Sequence, residues 1–153
     1  MKKKSFLQQI TTALCLFTAV SCGLITPETV SGEDIPQEED ILTIEEAREC
    51  IGRKGAWVEG YVVGGDLSAK SISFLAPFSA ESNMAIGPGP DVTVKDSCLS
   101  VQLPKGPLRD SLNLVSHPGL LGKHIYLKGD IAEAYFGIVG LKNTSRYILH
   151  SLK

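Results

Sequence analysis

Histidine is scarce: His117, His124 and His150 are the only three, and no two stand two or four residues apart. There is no Cys-x-x-Cys pair. Metal centres draw on such spacings, so no metal site is expected. No Gly-x-Ser-x-Gly segment occurs, which excludes the nucleophile elbow of an α/β-hydrolase. Gly64-Gly65-Asp66 lacks the Gly-Lys-Ser/Thr end of a phosphate loop. Asp110 and Asp130 read as a helix residue and a turn residue, not as an acid–base pair. No cofactor and no catalytic set is predicted. Long apolar runs are missing too. The best, Ile10 to Val20, is shorter than the ~20 residues that cross a hydrocarbon core.

What is present is unevenly charged. Residues 1–22 carry Lys2, Lys3 and Lys4 and no acid. Residues 23–49 carry nine acids against Arg48 alone, and residues 50–153 carry eleven Lys or Arg against eight acids. The first stretch reads as a leader: a basic start, a short apolar segment, then the small residues Ala19-Val20-Ser21. Ordinary cleavage after Ser21 is one outcome. Ala19-Val20-Ser21-Cys22 also resembles a bacterial lipobox, with Ala19 where Leu is commoner, and Cys22 at the new N-terminus favours lipidation there. Residues 1–21 are therefore read as a lipoprotein signal peptide. The product would be exported and held in the bacterial envelope by its acyl chains. The residue after the cysteine is Gly23, not Asp, which by analogy favours the outer membrane over the inner.

Residues 22–41 read as an acidic, flexible tether, because high charge with few large apolar groups leaves nothing to pack. At ~3.5 Å per residue it could hold a domain several tens of Å from the bilayer. Residues 42–153 then form the domain. Thr43-Ile44-Glu45-Glu46 is a capping box that opens a short helix over about 43–52. Strands are predicted over 56–64, with Gly60 marking a bulge or a sharp coil, and more weakly over 71–75 and 83–86. Further strands are predicted over 98–103, 123–131 and 134–141, with a turn at Lys142-Asn143-Thr144-Ser145 leading into 146–149. Pro107 suits the first position of a helix over 108–114. The class is mainly β: a small OB-like barrel of five to six strands, with a short N-terminal helix and one helix between strands 3 and 4.

The segments Trp57-Val58-Glu59-Gly60-Tyr61-Val62-Val63-Gly64, Ser82-Asn83-Met84-Ala85-Ile86 and Val101-Gln102-Leu103-Pro104 follow one another in that order. Leu108-Arg109-Asp110-Ser111-Leu112-Asn113-Leu114, His117-Pro118, Leu127-Lys128-Gly129-Asp130 and Tyr135-Phe136-Gly137-Ile138-Val139-Gly140-Leu141-Lys142 complete the series. With these the domain resembles an uncharacterised OB-like domain, a domain of unknown function, of Bacteroides-type lipoproteins, over about 43–150. Gly87-Pro88-Gly89-Pro90 departs from the acidic turn usual there. The resemblance implies fold and envelope context, and no activity or site residues.

Two cysteines remain besides those of the leader, Cys50 and Cys98. In an oxidising envelope they could form a disulfide, or stay as two buried thiols. Among the aromatics Trp57, Tyr61, Tyr126, Tyr135 and Phe136, three oppose the inward alternation: Trp57, Tyr61 and Tyr126. With Lys128, and more loosely Lys70, Lys95 and Lys105, they form the candidate ligand face. The function expected is a non-catalytic domain that binds a protein or glycan. The alternatives are a single-stranded nucleic-acid-binding module, to which the mild positive charge lends little, and an accessory domain with cryptic hydrolase activity.

Overall fold

The computed structural model describes residues 36–68 and 72–150. The leader, Cys22, most of the expected tether and Lys70 lie outside them. Among the described residues the fold is mainly β, with six strands and two short helices. Strands β1 (Ile41–Leu42), β2 (Ala56–Gly64), β3 (Asn83–Gly87), β4 (Leu99–Gln102), β5 (His124–Tyr135) and β6 (Ile138–Leu149) hydrogen-bond in the order β1-β2-β3-β4-β6-β5. β5 pairs in turn with β2, so five strands form a closed circuit and β1 is an added parallel strand on β2. The end of the expected tether thus belongs to the sheet: Glu38–Asp40 is a 3-10 turn and Ile41 pairs with Trp57. Ile41 and Leu42 are apolar and continue the sheet at the otherwise open side of the first half of β2.

Helix α1 (Ile44–Glu49) sits where its sequence signal puts it. The Glu46 carboxylate accepts from the Thr43 N–H at 2.8 Å, and the Thr43 hydroxyl accepts from the Glu46 N–H at 3.3 Å. These bonds satisfy amides that a helix start otherwise leaves open. Helix α2 (Pro107–Leu112) lies between β4 and β5, the third and fourth strands of the circuit, with Pro107 at its first turn. It stops before Leu114 because Asn113 leaves helical geometry. The Asn113 amide donates to the Arg109 carbonyl, and its oxygen accepts from the Ser116 N–H.

Alternation along the strands builds the core. Val58 and Val62 of β2, Met84 and Ile86 of β3, Leu99 and Val101 of β4, Ile125, Leu127 and Ile131 of β5 and Leu141 of β6 pack as one buried cluster, joined by Ile44 and Ala47 of α1 and Leu112 of α2. Each such Val, Leu, Ile or Met side chain contributes about 1.5–3 kcal/mol when fully buried. A smaller cluster, Val63, Leu67, Ala85 and Cys98, uses residues of the other parity and so lies on the opposite face of the sheet.

Several local expectations are corrected. The irregularity in β2 falls between Val62 and Gly64, not at Gly60. Gly60 instead lets α1 close in: a Cβ there would lie 3.1 Å from the Ile44 side chain and 3.1 Å from the Gly87 carbonyl. Residues 72–75 are not a strand. They fold back on the end of β2, with the Ser73 carbonyl accepting from Gly65 and the Ser73 N–H donating to Asp66. The turn expected at 142–145 is instead a register shift inside β6 (Ile138–Leu149), where residues 143–145 stand against Gly129 alone. The chain reverses earlier, at Phe136 (φ 61°) and Gly137 (φ 84°), between the paired Tyr135 and Ile138. Such two-residue loops need positive φ at both positions, a geometry that costs a bulky L-residue about 1–2 kcal/mol.

The capping carboxylate sets a pH dependence. Hydrogen bonds from the Thr43 backbone and hydroxyl hold the Glu46 carboxyl below the ordinary glutamate range. Its stabilisation is therefore complete above that range and fades as pH falls through the lowered value. Glu46→Gln should lower the denaturation midpoint at neutral pH, and the gap to wild type should narrow steadily below pH ~4.3. Urea unfolding across that pH range checks it.

Candidate ligand face and groove

Cross-strand register brings the expected ligand residues to one face. On the β2–β5 ladder, Tyr61 stands opposite His124, Glu59 opposite Tyr126, and Trp57 opposite Lys128. Residues two apart share a face, so the four candidates Trp57, Tyr61, Tyr126 and Lys128 line up with Glu59 and His124 between them. They are unequally exposed. Trp57 is only 6% exposed, and the Lys128 ammonium sits 5.8 Å from its ring centroid. The indole N–H is buried without a hydrogen-bond partner. The Trp57 ring is thus turned into packing rather than held open for stacking. Lys95 lies in the 3-10 turn before β4 and Lys105 in the loop after it, away from the β2–β5 ladder.

The other end of the face is open. Tyr61 and Tyr126 flank His124, with ring centroids 4.8 Å and 4.9 Å from the imidazole. His150, just past β6, adds a fourth ring at 5.8 Å, placed by its N–H bonding to the His124 carbonyl. Glu59 Oε2 lies 3.4 Å from His124 Nε2, an ion pair whenever the imidazole is protonated. Burial, then the Glu59 and Glu38 carboxylates, push the Tyr126 phenol above its ordinary value, so it remains a hydrogen-bond donor at neutral pH. These rings wall a groove of about 710 Å³, with Leu120, Leu121 and Leu149 supplying apolar surface and Lys123 a cation. The arrangement can stack a planar or puckered ring, cover apolar groups and exchange hydrogen bonds through phenol, imidazole and carboxylate.

Half of this site escaped the sequence. The outward phase of His124 and Tyr126 is legible in β5. Nothing in the strand pattern indicates that His150 and the 3-10 turn Pro118–Leu120 come back to the same place. His117 is a turn residue, its Nε2 held 2.8 Å from the Asp110 carbonyl of α2. Among the described residues, no three His, Cys, Asp or Glu side chains converge as metal ligands.

The sequence from Leu42 to His150 matches one family model throughout. The chain belongs to DUF6359, a domain of unknown function. The family's span begins at Leu42 of β1 and ends just past β6, so the β2–β5 face and its groove lie wholly within the DUF6359 domain. A relative is the protein named Endonuclease YhcR from Bacillus subtilis (strain 168), 39% identical over 88 residues. That match takes in 58% of this chain but spans only 7% of the relative's length. The crystal structure of a DUF3299 family protein from Pseudomonas aeruginosa PAO1 overlaps 69% of this chain and 66% of its own, at 13% identity and a TM-score of 0.39. At that score the likeness is too loose to bear on the fold.

In the structure the two cysteines of the DUF6359 domain stand as separate, unbridged thiols. Cys50 caps α1 and packs on the main core, whereas Cys98 belongs to the cluster on the other face of the sheet. The Cys98 thiol donates to the Val94 carbonyl at 3.2 Å, and burial pushes its pKa up to about 11 despite the nearby Arg48. Thiolate is the reactive form, so Cys98 should resist alkylation in the native state. With no reductant added, iodoacetamide should modify Cys50 first and Cys98 only on unfolding. Mass spectrometry reads both, and a protein that takes up no label even when unfolded would contradict the free thiols.

Proposed function

We propose that the chain is a cell-envelope lipoprotein, anchored through Cys22 in the outer membrane, whose OB-like domain binds a protein or glycan partner without catalysing a reaction. The observation that carries this reading is the groove. Three rings meet at His124, and Leu120, Leu121 and Leu149 with Lys123 line the rest of the groove wall. The OB-like assignment draws support from the circuit's order, first-second-third-fifth-fourth, with α2 between third and fourth. The anchor draws support from the basic start, the short apolar segment and Ala19-Val20-Ser21-Cys22. Palmitate should label wild type and not Cys22→Ala; equal labelling would remove the anchor.

Crosslinking pull-down of the full-length tagged chain from native envelopes tests the binding role. A Tyr61→Ala/Tyr126→Ala variant runs beside it. One partner recovered near stoichiometry and lost in the variant is the expected result. The same partner recovered equally from both would move the site off the groove.

A second reading, a single-stranded nucleic-acid module, is favoured by one observation: the partial relative carries the name endonuclease. Ring stacking suits bases as well as sugars, and Lys123 adds a cation at the groove. Fluorescence anisotropy with a labelled oligothymidylate separates the two. Binding that weakens steeply as salt rises supports nucleic acid. No binding at low salt ends that reading.

A further inference from the structure

We propose that the outer edge of β6, from Tyr147 to Leu149, takes an extended peptide segment as an added strand, with an acidic side chain set against Arg146. The edge runs into the groove, and the choice of a peptide rests on the groove reading only for the seat of one apolar side chain.

Backbone phase opens this edge. In an antiparallel ladder the N–H and C=O of one residue point to the same side, and that side alternates along the strand. The His150 N–H donates to the His124 carbonyl at 3.0 Å. Ile148 and Arg146, in step with His150 and paired with Tyr126 and Lys128, therefore turn their backbone groups toward β5. Tyr147 and Leu149 turn theirs the other way. β4 reaches β6 only at Gly140 and Leu141, so no described strand stands beside Tyr147 and Leu149 on that side. Neither takes part in a backbone hydrogen bond to a described loop or turn. The chain here meets solvent: Ser145 and Arg146 are exposed, and Leu149 keeps 36% of its surface.

The open groups select the occupant. Donors and acceptors alternate along the edge and recur every second residue, at about 6.8 Å. The main chain of an extended peptide repeats both at that spacing, whereas a phosphodiester backbone offers only acceptors. Charge narrows the choice. Arg146 stands directly opposite Lys128 on the outer face of the ladder and makes no ion pair with a described acid. The acids of the ladder are committed elsewhere, Asp130 to Lys54, the Gly55 N–H and Asn143, and Glu59 to His124. An acidic side chain on the added strand thus meets two cations. A second copy paired edge to edge would bring more like charge to that face instead. At the groove end, Leu120 and Leu121 beside Leu149 seat one large apolar side chain of the peptide. A lone charge also blunts an edge against aggregation, but a charge of either sign serves that purpose.

Amide NMR on the isotope-labelled full-length chain tests this. The probes are acetyl-Phe-Val-Thr-Glu-Thr-amide, the same peptide with Lys for Glu, and chitotetraose, each added to ~5 mM, a ceiling suited to millimolar affinity. The Glu peptide should shift the Tyr147 and Leu149 amides, and the Lys peptide should bind roughly three- to tenfold more weakly. Arg146→Glu should reverse that order and leave the melting temperature level, because the side chain is exposed. Leu149→Pro removes an outward N–H while the β5 ladder stays whole, and it should abolish the Tyr147 shift. No shift at Tyr147 and Leu149 with either peptide overturns the proposal. Equal binding of the two peptides, unchanged in Arg146→Glu, overturns it as well and leaves the arginine as a blunting charge. Chitotetraose shifts at Tyr147 and Leu149 as large as the peptide's overturn the ligand class. A dimer without peptide, with the Tyr147 amide protected from exchange, would give the edge to a second copy and overturn it too. Shifts confined to the Lys123, His124 and Tyr126 amides support the groove and overturn the added strand. Shifts at Tyr147 and Leu149 with those three silent support the added strand and remove the groove.

Discussion

The double pairing of β2 is the constraint on which the rest of the fold depends. Its first half bonds β5 from Ala56 to Tyr61, and its second half bonds β3 from Tyr61 to Gly64. Tyr61 is shared, opposite His124 on one side and Gly87 on the other. The register irregularity between Val62 and Gly64 adds local twist to the half of the strand that bonds β3. Closure through β2–β5 removes most open sheet edges, and β1 occupies the side of β2 that β3 does not reach.

The same closure makes the groove. Tyr61 and His124 become neighbours because β2 and β5 pair, and His150 joins them because β6 runs antiparallel beside β5. The apolar part of the wall arrives with the short turn before β5. A site assembled from the end of one strand, the start of another and a loop between them has no contiguous motif.

The two ends of β5 solve different problems. At His124 the rings pack edge-on and tilted about an imidazole that a carboxylate can stabilise. At Tyr135 two rings lie nearly parallel on a backbone held in an unfavourable conformation. Between them, Trp57 and Lys128 are committed to each other across the ladder, and Asp130 gathers Lys54, the Gly55 N–H and Asn143. The middle of the face is thus tied down, and the open chemistry is at its His124 end.

Local signals carried a large share of the fold. The α1 capping box, Pro107 at the start of α2, the inward set Ile125, Leu127 and Ile131, and the alternation at Leu99 and Val101 are all legible because neighbouring residues decide them. Tertiary structure alone decided the remainder. Polar, turn-prone Asn143-Thr144-Ser145 falls in a register shift, three residues against Gly129 alone, and the pairs Asp130–Lys142 and Lys128–Arg146 on either side carry β6 through it, with Asn143 at φ 50°. The true reversal, at Phe136–Gly137, hides behind an aromatic that disfavours it. The partial exposure of Tyr61 against the burial of Trp57, on one face of one strand, is equally beyond pattern. Alternation assigns a residue to a side of the sheet, but what covers that side is decided by segments far away in the chain.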